Sequence, residues 1–197
     1  MAADTPSLAR KEALRYILHF LGDIHQPLHV ENAYRGGNEI RVCFRRACAR
    51  NNLHAVWDRD IPHKILGLSS SPSQADQRAA AKRWADRLQR ASPAAAEPEC
   101  ADLLDPDTCT VAWAQEANAF VCSYVMTPGL DWLESNDLSL EYFDGAKPIV
   151  EGQIARAGRR LAAWLETMVA ERKKNQAVSA AANAANAGDG KQVPLGM

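Results

Sequence analysis

Four of the five histidines lie between His19 and His54, and two of them open the same five-residue pattern. His19-x-x-x-Asp23 and His54-x-x-x-Asp58 each place an imidazole four residues before a carboxylate, with His29 between them. On a helix, positions four apart share a face and their side chains point the same way. Imidazole nitrogen together with carboxylate oxygen is a donor set that suits zinc. Three segments therefore offer five candidate ligands: His19, Asp23, His29, His54 and Asp58. One such pattern is common in any helical protein, whereas two within forty residues point to a metal centre. Taken singly, each residue has a plainer reading. His19 could be a hydrogen-bonded core histidine, Asp23 could merely begin the next turn, and His54 with Asp58 could form a surface ion pair. His25, four residues before His29, could also be a ligand, but a structural or supporting role is favoured for it, and His63 is read as a non-ligand.

The elements that must carry these residues are helical. Leu8, Leu14, Ile17, Leu18 and Leu21 repeat at helical spacing over residues 8–24, and Pro27 is expected to end or kink that helix. Gly36-Gly37 mark a turn. Ile40, Val42 and Phe44 then alternate, which predicts a short strand in a small hairpin. Asn51 or Asn52 is placed to cap a helix running through His54 and Asp58. Further helices are expected over about 72–91 and 110–125, the second burying Trp113, Ala117, Phe120, Val121 and Tyr124. A Pro/Glu/Asp loop at 92–109 separates them, and Pro128-Gly129 stops the second. A long helix over about 138–174 carries the stripe Ile149, Val150, Ile154, Leu161, Trp164, Leu165 and Met168. The Ala/Asn/Gly-rich segment 175–197 reads as a disordered tail. The expected class is mainly α with at most one β-hairpin, as one domain over residues 1–174.

Composition supports a single core and narrows the partners. The chain has 197 residues, 47% of them hydrophobic, and a formal net charge of -1. That charge gives no global attraction to nucleic acid or an anionic membrane, so any polyanion must be met by a local patch or by bound cations. No apolar stretch reaches membrane-spanning length, and no apolar h-region follows Met1, so no secretory signal is expected. None of the five cysteines forms a CxxC pair, which disfavours thiolate zinc sites. Cys43 with Cys48, and Cys100 with Cys109, read as local disulfides of a secreted protein. The alternative is reduced, buried thiols. Cys122 is left over.

The segment His19-Phe20-Leu21-Gly22-Asp23-Ile24-His25-Gln26-Pro27-Leu28-His29 closely resembles the S1/P1 nuclease family. So do Gly36-Gly37-Asn38, Asn52-Leu53-His54-Ala55-Val56-Trp57-Asp58, Trp113-Ala114-Gln115-Glu116-Ala117-Asn118, and Tyr142-Phe143-Asp144-Gly145-Ala146 through Arg160-Leu161-Ala162. The resemblance spans roughly residues 8 to 170. It implies a helical fold of the phospholipase C/nuclease type, a trinuclear zinc site, and cleavage of single-stranded DNA and RNA to 5'-phosphorylated products. It also implies removal of the 3'-phosphate from nucleotides. Carried over by position, His19 ligates one zinc, Asp23 bridges it to a second and is the catalytic carboxylate, and His29, His54 and Asp58 hold the third. Gly36 and Asn38 match positions that help bind a nucleobase. The alternative for Gly36-Gly37-Asn38 is a plain turn. Arg35, Arg41, Arg45, Arg46 and Arg50 are read as a solvated hairpin, with phosphate contacts as the alternative. A monomer, secreted and acting without a membrane, is what the resemblance suggests.

The resemblance also implies ligands that this sequence does not show. In the family an N-terminal tryptophan, a nearby His, and a further Asp and His complete the zinc sites. The sequence is therefore expected to be N-terminally truncated by about a third, with one complete zinc site at His29, His54 and Asp58. The resemblance pairs the cysteine at the position of Cys122 with one in that segment. Two alternatives accompany the nuclease reading: a zinc phospholipase C-like hydrolase, and a catalytically inactive zinc-binding remnant.

Overall fold

The computed structural model describes residues 7–91, 100 and 102–188. Helix α1, Ser7–Asp23, ends where the sequence turns to Pro27, and Pro27–Val30 form a 3-10 turn whose N-cap is Gln26. After a tight turn at Tyr34–Gly37 and an irregular hairpin, a helix over residues 53–65 (α2) follows. It is made of Leu53–Ala55, a π turn Val56–Asp60 and Ile61–Ile65. Helix α3 is Gln74–Ala91. Helix α4, Pro106–Phe120, continues into a second π turn, Val121–Val125. A short helix α5, Leu130–Ser135, precedes the long helix α6, Glu141–Gly188. The mainly α expectation holds. None of the helices among the described residues is long and apolar enough to cross a membrane.

The main core gathers around α2. Leu28, Ile40, Leu53, Ile61, Leu133 and Leu138 are fully buried there, each contributing about 1.5–3 kcal/mol of transfer free energy. Trp57 sits among them and donates its indole N–H to the Tyr142 hydroxyl at 2.9 Å, which in turn donates to the Val125 carbonyl at 3.0 Å. A smaller cluster of Leu21, Cys109, Trp113 and Trp164 ties α1 and α4 to α6.

Several expectations are corrected by the tertiary structure. Ile40, Val42 and Phe44 are buried and Arg41 is exposed, so the alternation of a strand is present. Among the described residues the backbone nevertheless forms only isolated bridges: Arg41 with Asn52 and Phe44 with Ala47 within the hairpin, and Cys43 with Asp137. Between the hairpin bridges the returning arm is longer than the outgoing one, so the ladder cannot stay in register. On α1, Leu8, Leu14 and Leu18 are exposed, and of its residues only Leu21 is buried. Helix α4 starts at Pro106 rather than Thr110, because Pro at a first helical position lacks only an N–H that would be unpaired anyway. Helix α5 was not expected. Helix α6 starts at Glu141 and runs on through Gly188, past the expected end at Lys174, as its alanine-rich sequence favours helix intrinsically. Of the loop expected over 92–109, residues 92–99 and 101 lie outside the described residues, as does the segment 189–197. Both expected disulfides, Cys43–Cys48 and Cys100–Cys109, are formed, and Cys122 is a free, exposed thiol.

Candidate metal centre

Two elements converge on one point. The 3-10 turn presents His29, and the first turns of α2 present His54 and Asp58. Asn52 starts α2 as its N-cap, its side-chain oxygen accepting the Ala55 N–H at 2.8 Å. Asn51 does not cap; its amide donates to Asp60 at 2.9 Å. His29 Nε2 lies 3.0 Å from Asp58 Oδ1, and His54 Nε2 lies 3.1 Å from Asp58 Oδ2. The two imidazoles stack in parallel, with centroids 4.9 Å apart and an interplanar angle of 5°. One donor atom from each of His29, His54 and Asp58 falls within 4.8 Å of the other two. Among the described residues this is the group of three or more His, Cys, Asp or Glu side chains that could hold a metal ion. Two imidazole nitrogens and a carboxylate oxygen leave room for non-protein ligands, so the donor set fits a catalytic metal.

The supporting contacts orient these donors. His54 Nδ1 lies 2.8 Å from the Gly36 carbonyl, which assigns the proton to Nδ1 and leaves Nε2 free to ligate. Gly36 has φ +61°, and a Cβ there would meet the Leu28 carbonyl at 2.4 Å. Only glycine permits this approach. Gln26 donates to Asp58 Oδ1 at 2.8 Å and accepts from the Leu28 N–H, so one side chain orients a ligand and caps the turn that carries another. From α4, Asn118 donates to the Val30 carbonyl at 2.9 Å and to Glu31 at 3.0 Å. Neither Gln26 nor Asn118 was singled out in the sequence. A glutamine just before a proline-initiated turn was the available signal for Gln26.

The hydrogen bond to Asp58, together with the charges of Asp58 and Asp23, outweighs burial and holds the His29 imidazole above its ordinary value. Burial pushes the Asp58 carboxyl up, but hydrogen bonds from His29 and Gln26 and the nearby imidazoles bring it below the usual carboxylate range. Both shifts favour the charged His29–Asp58 pair in the metal-free site, and a metal ion there competes with the imidazole proton.

His19 and Asp23 meet each other, and among the described residues neither belongs to the three-donor group. His19 Nε2 is 3.2 Å from Asp23 Oδ2, and the His19 side chain is 69% exposed, which excludes a core histidine. Asp23 reaches toward the centre, its Oδ1 3.5 Å from His29 Nδ1. Asn38 is exposed and donates to the Arg35 carbonyl at 2.8 Å. His25 is buried, with Nδ1 on the Leu21 carbonyl at 2.7 Å and Nε2 facing Arg160 at 2.8 Å. Arg160 also binds Glu116 at 2.6 Å. These contacts give His25 the structural role expected of it, and His63 lies outside the three-donor group. A cavity of about 340 Å³ borders Asp23, Gln26, His29 and Asp58, walled by Trp57 and Ile154. A cleft of about 520 Å³ on the His54 side is lined by Phe20, Asp23, His29, Glu31, Arg35 and Gly36.

Comparison with known proteins matches residues 1–170 to the S1/P1 Nuclease family model. The chain is 39% identical to Nuclease S1 of Aspergillus oryzae over 166 residues, covering 81% of this chain and 55% of that protein. It is 36% identical to Nuclease P1 of Penicillium citrinum over 157 residues, 78% of this chain and 56% of that protein. Against Endonuclease 2 of Arabidopsis thaliana it is 34% identical over 160 residues, 78% and 50% respectively. The chain therefore spans about half the length of the curated relatives it matches. With its paired histidines and Asp58 gathered on the segments that carry the sequence resemblance, the chain belongs to the S1/P1 nuclease family.

Proposed function

We propose that this chain carries part of the active site of a zinc-dependent nuclease. Its reaction is hydrolysis of phosphodiester bonds in single-stranded DNA and RNA to 5'-phosphorylated products, with removal of the 3'-phosphate from nucleotides. The observation that carries the proposal is the His29, His54 and Asp58 donor set in a chain of this family. Zinc held there supplies Lewis acidity toward a phosphate and its departing oxygen. His54 is oriented by Gly36, Asp58 by Gln26, and both clefts reach His29. Asp23, beside His29, is the carboxylate assigned to the reaction, and with His19 it is assigned to further zinc ions. Gly36 and Asn38 are assigned to the nucleobase. In the structure Gly36 also holds His54, which adds a structural reason for the glycine. The two disulfides are those of a protein in an oxidising compartment, in keeping with secretion. We assign the catalytic domain to residues 1–174, acting as a monomer. The names of the relatives favour the nuclease over a phospholipase C.

A single-metal chain without turnover is the second reading. It is favoured by the one three-donor group among the described residues. Metal analysis of the purified chain, paired with cleavage of single- and double-stranded oligonucleotides, separates the two. The nuclease reading expects bound zinc that is lost in His54→Ala, and single-strand cleavage that is lost on chelation. Zinc without cleavage supports the second reading, and a chain with no affinity for zinc overturns both.

A further inference from the structure

We propose that the arginine-bearing turn over residues 41–50 is a docking surface for the sugar–phosphate backbone of a single-stranded nucleic acid, separate from the metal centre. The proposal rests on the nuclease reading for the identity of the polyanion. The segment Arg41-Val42-Cys43-Phe44-Arg45-Arg46-Ala47-Cys48-Ala49-Arg50 carries four arginines and no acid, in a chain whose formal net charge is -1. All four arginines are exposed. Among the described residues none of their guanidinium groups is held in an ion pair, whereas nearby Arg59 is bound to Asp60 at 2.7 Å.

The backbone gives the stronger argument. Phe44 and Ala47 exchange both amide hydrogen bonds, at 3.2 and 3.0 Å, so Arg45-Arg46 form a two-residue hairpin turn. Their φ values, 51° and 63°, are those of a turn that selects Asn-Gly. Arg50 is also left-handed, at φ 62°. Arginine is an unfavourable choice at such positions, and the exposed side chains give no packing reason for it. The turn is instead secured from outside. The Cys43–Cys48 disulfide closes it. Asp137 accepts the Arg45 N–H at 2.9 Å and the Arg46 N–H at 2.7 Å, and Cys43 accepts the Leu138 N–H at 2.9 Å. Strain retained where packing does not require it points to function.

The turn is also coupled to the centre. Arg41 pairs with Asn52, the N-cap of the helix that holds His54. Arg50 is four residues before His54, at most about 14 Å of extended chain. Each exposed guanidinium group can grip a phosphate through two N–H groups.

The test is binding of the zinc-loaded chain to a cleavage-resistant phosphorothioate oligothymidylate, followed by fluorescence anisotropy over a salt series. Arg45→Asn/Arg46→Gly keeps the turn in the sequence it prefers while removing two charges. It is expected to weaken binding about tenfold at low salt and to flatten the salt slope by about 1.4, two phosphate contacts' worth. Arg45→Lys/Arg46→Lys is expected to restore most of the affinity. Arg41→Gln/Arg50→Asn, which leaves the turn tip untouched, is expected to show the same loss. Zinc content separates the two readings: His54→Ala loses zinc, and the arginine variants retain it. Equal affinity and slope for wild type and both double variants would overturn the docking surface and leave the metal centre standing. So would arginine-dependent binding to phosphatidylserine vesicles without binding to the oligonucleotide.

Discussion

At the scale of single residues, His54 can offer Nε2 to a metal because Gly36 takes the proton on the other nitrogen. Gly36→Ala would set a Cβ 2.4 Å from the Leu28 carbonyl, in a left-handed conformation. The carbonyl that holds His54 must then move. The expected outcome is about 2 kcal/mol or more of lost stability and a zinc affinity lower by about tenfold or more, read by thermal unfolding and by competition with a chromogenic chelator. Unchanged zinc affinity would show that the Gly36 contact does not orient His54. The His29–Asp58 pair sets a pH dependence. The His29 value is raised in the fold, so its contribution to the metal-free chain is full below the ordinary imidazole value of 6.5 and is lost as pH rises through the raised value. Asp58 is lowered, so its contribution holds above 3.8 and is lost as pH falls through the lowered value. Zinc competes with the His29 proton and binds more strongly as pH rises. Melting temperatures of chelated and zinc-loaded chain should therefore diverge as pH rises above 6.5. Parallel curves would show that the His29 proton and the metal do not exclude one another.

At the scale of elements, the π turn Val56–Asp60 lies between His54 and the end of α2, and Trp57 within it is anchored through Tyr142 to the second π turn at Val125. Burial holds the Tyr142 phenol far above its ordinary value, so it stays protonated and donates to Val125. Tyr142→Phe would leave the buried Trp57 N–H and Val125 carbonyl without this partner. A loss of about 1–3 kcal/mol is expected, measured by denaturant unfolding; a loss below about 0.5 kcal/mol would mean that water replaces the hydroxyl. The N-cap role of the Asn51-Asn52 pair was legible in the sequence, because an asparagine before an apolar run has a local reason to start a helix. Which of the two caps was decided by Asp60, which takes the Asn51 amide. The π turns were not legible, since no local pattern distinguishes them from α-helix and their widening is imposed by packing.

At the scale of the whole molecule, burial is uneven. The main core surrounds α2, while α1 buries only Leu21 and leaves Leu8, Tyr16, Leu18 and Phe20 between 44% and 64% exposed. Few buried contacts mean a low local unfolding free energy. Hydrogen exchange is expected to be slowest in residues 53–65 and 117–125, and fast in residues 7–18 and beyond about residue 170. Protection of α1 equal to that of α2 in the isolated chain would contradict this ordering. The exposed His19 sits on this weakly held helix, whereas His29, His54 and Asp58 are fastened to the core.

The amino-acid sequence alone determined that the chain is mainly helical, which residues are candidate ligands, the two local disulfides, and the family resemblance. These rest on short-range spacing, on capping chemistry and on motifs read directly from the chain. Tertiary structure decided which candidates meet. His29 joins His54 and Asp58 across a separation that no local pattern encodes, through Gln26, Gly36 and Asn118. His19 and Asp23 share one helix face as their spacing required, and although Asp23 reaches His29, neither belongs to the three-donor group among the described residues. Spacing fixes direction along one element; only the packing of several elements brings their donor atoms to one point.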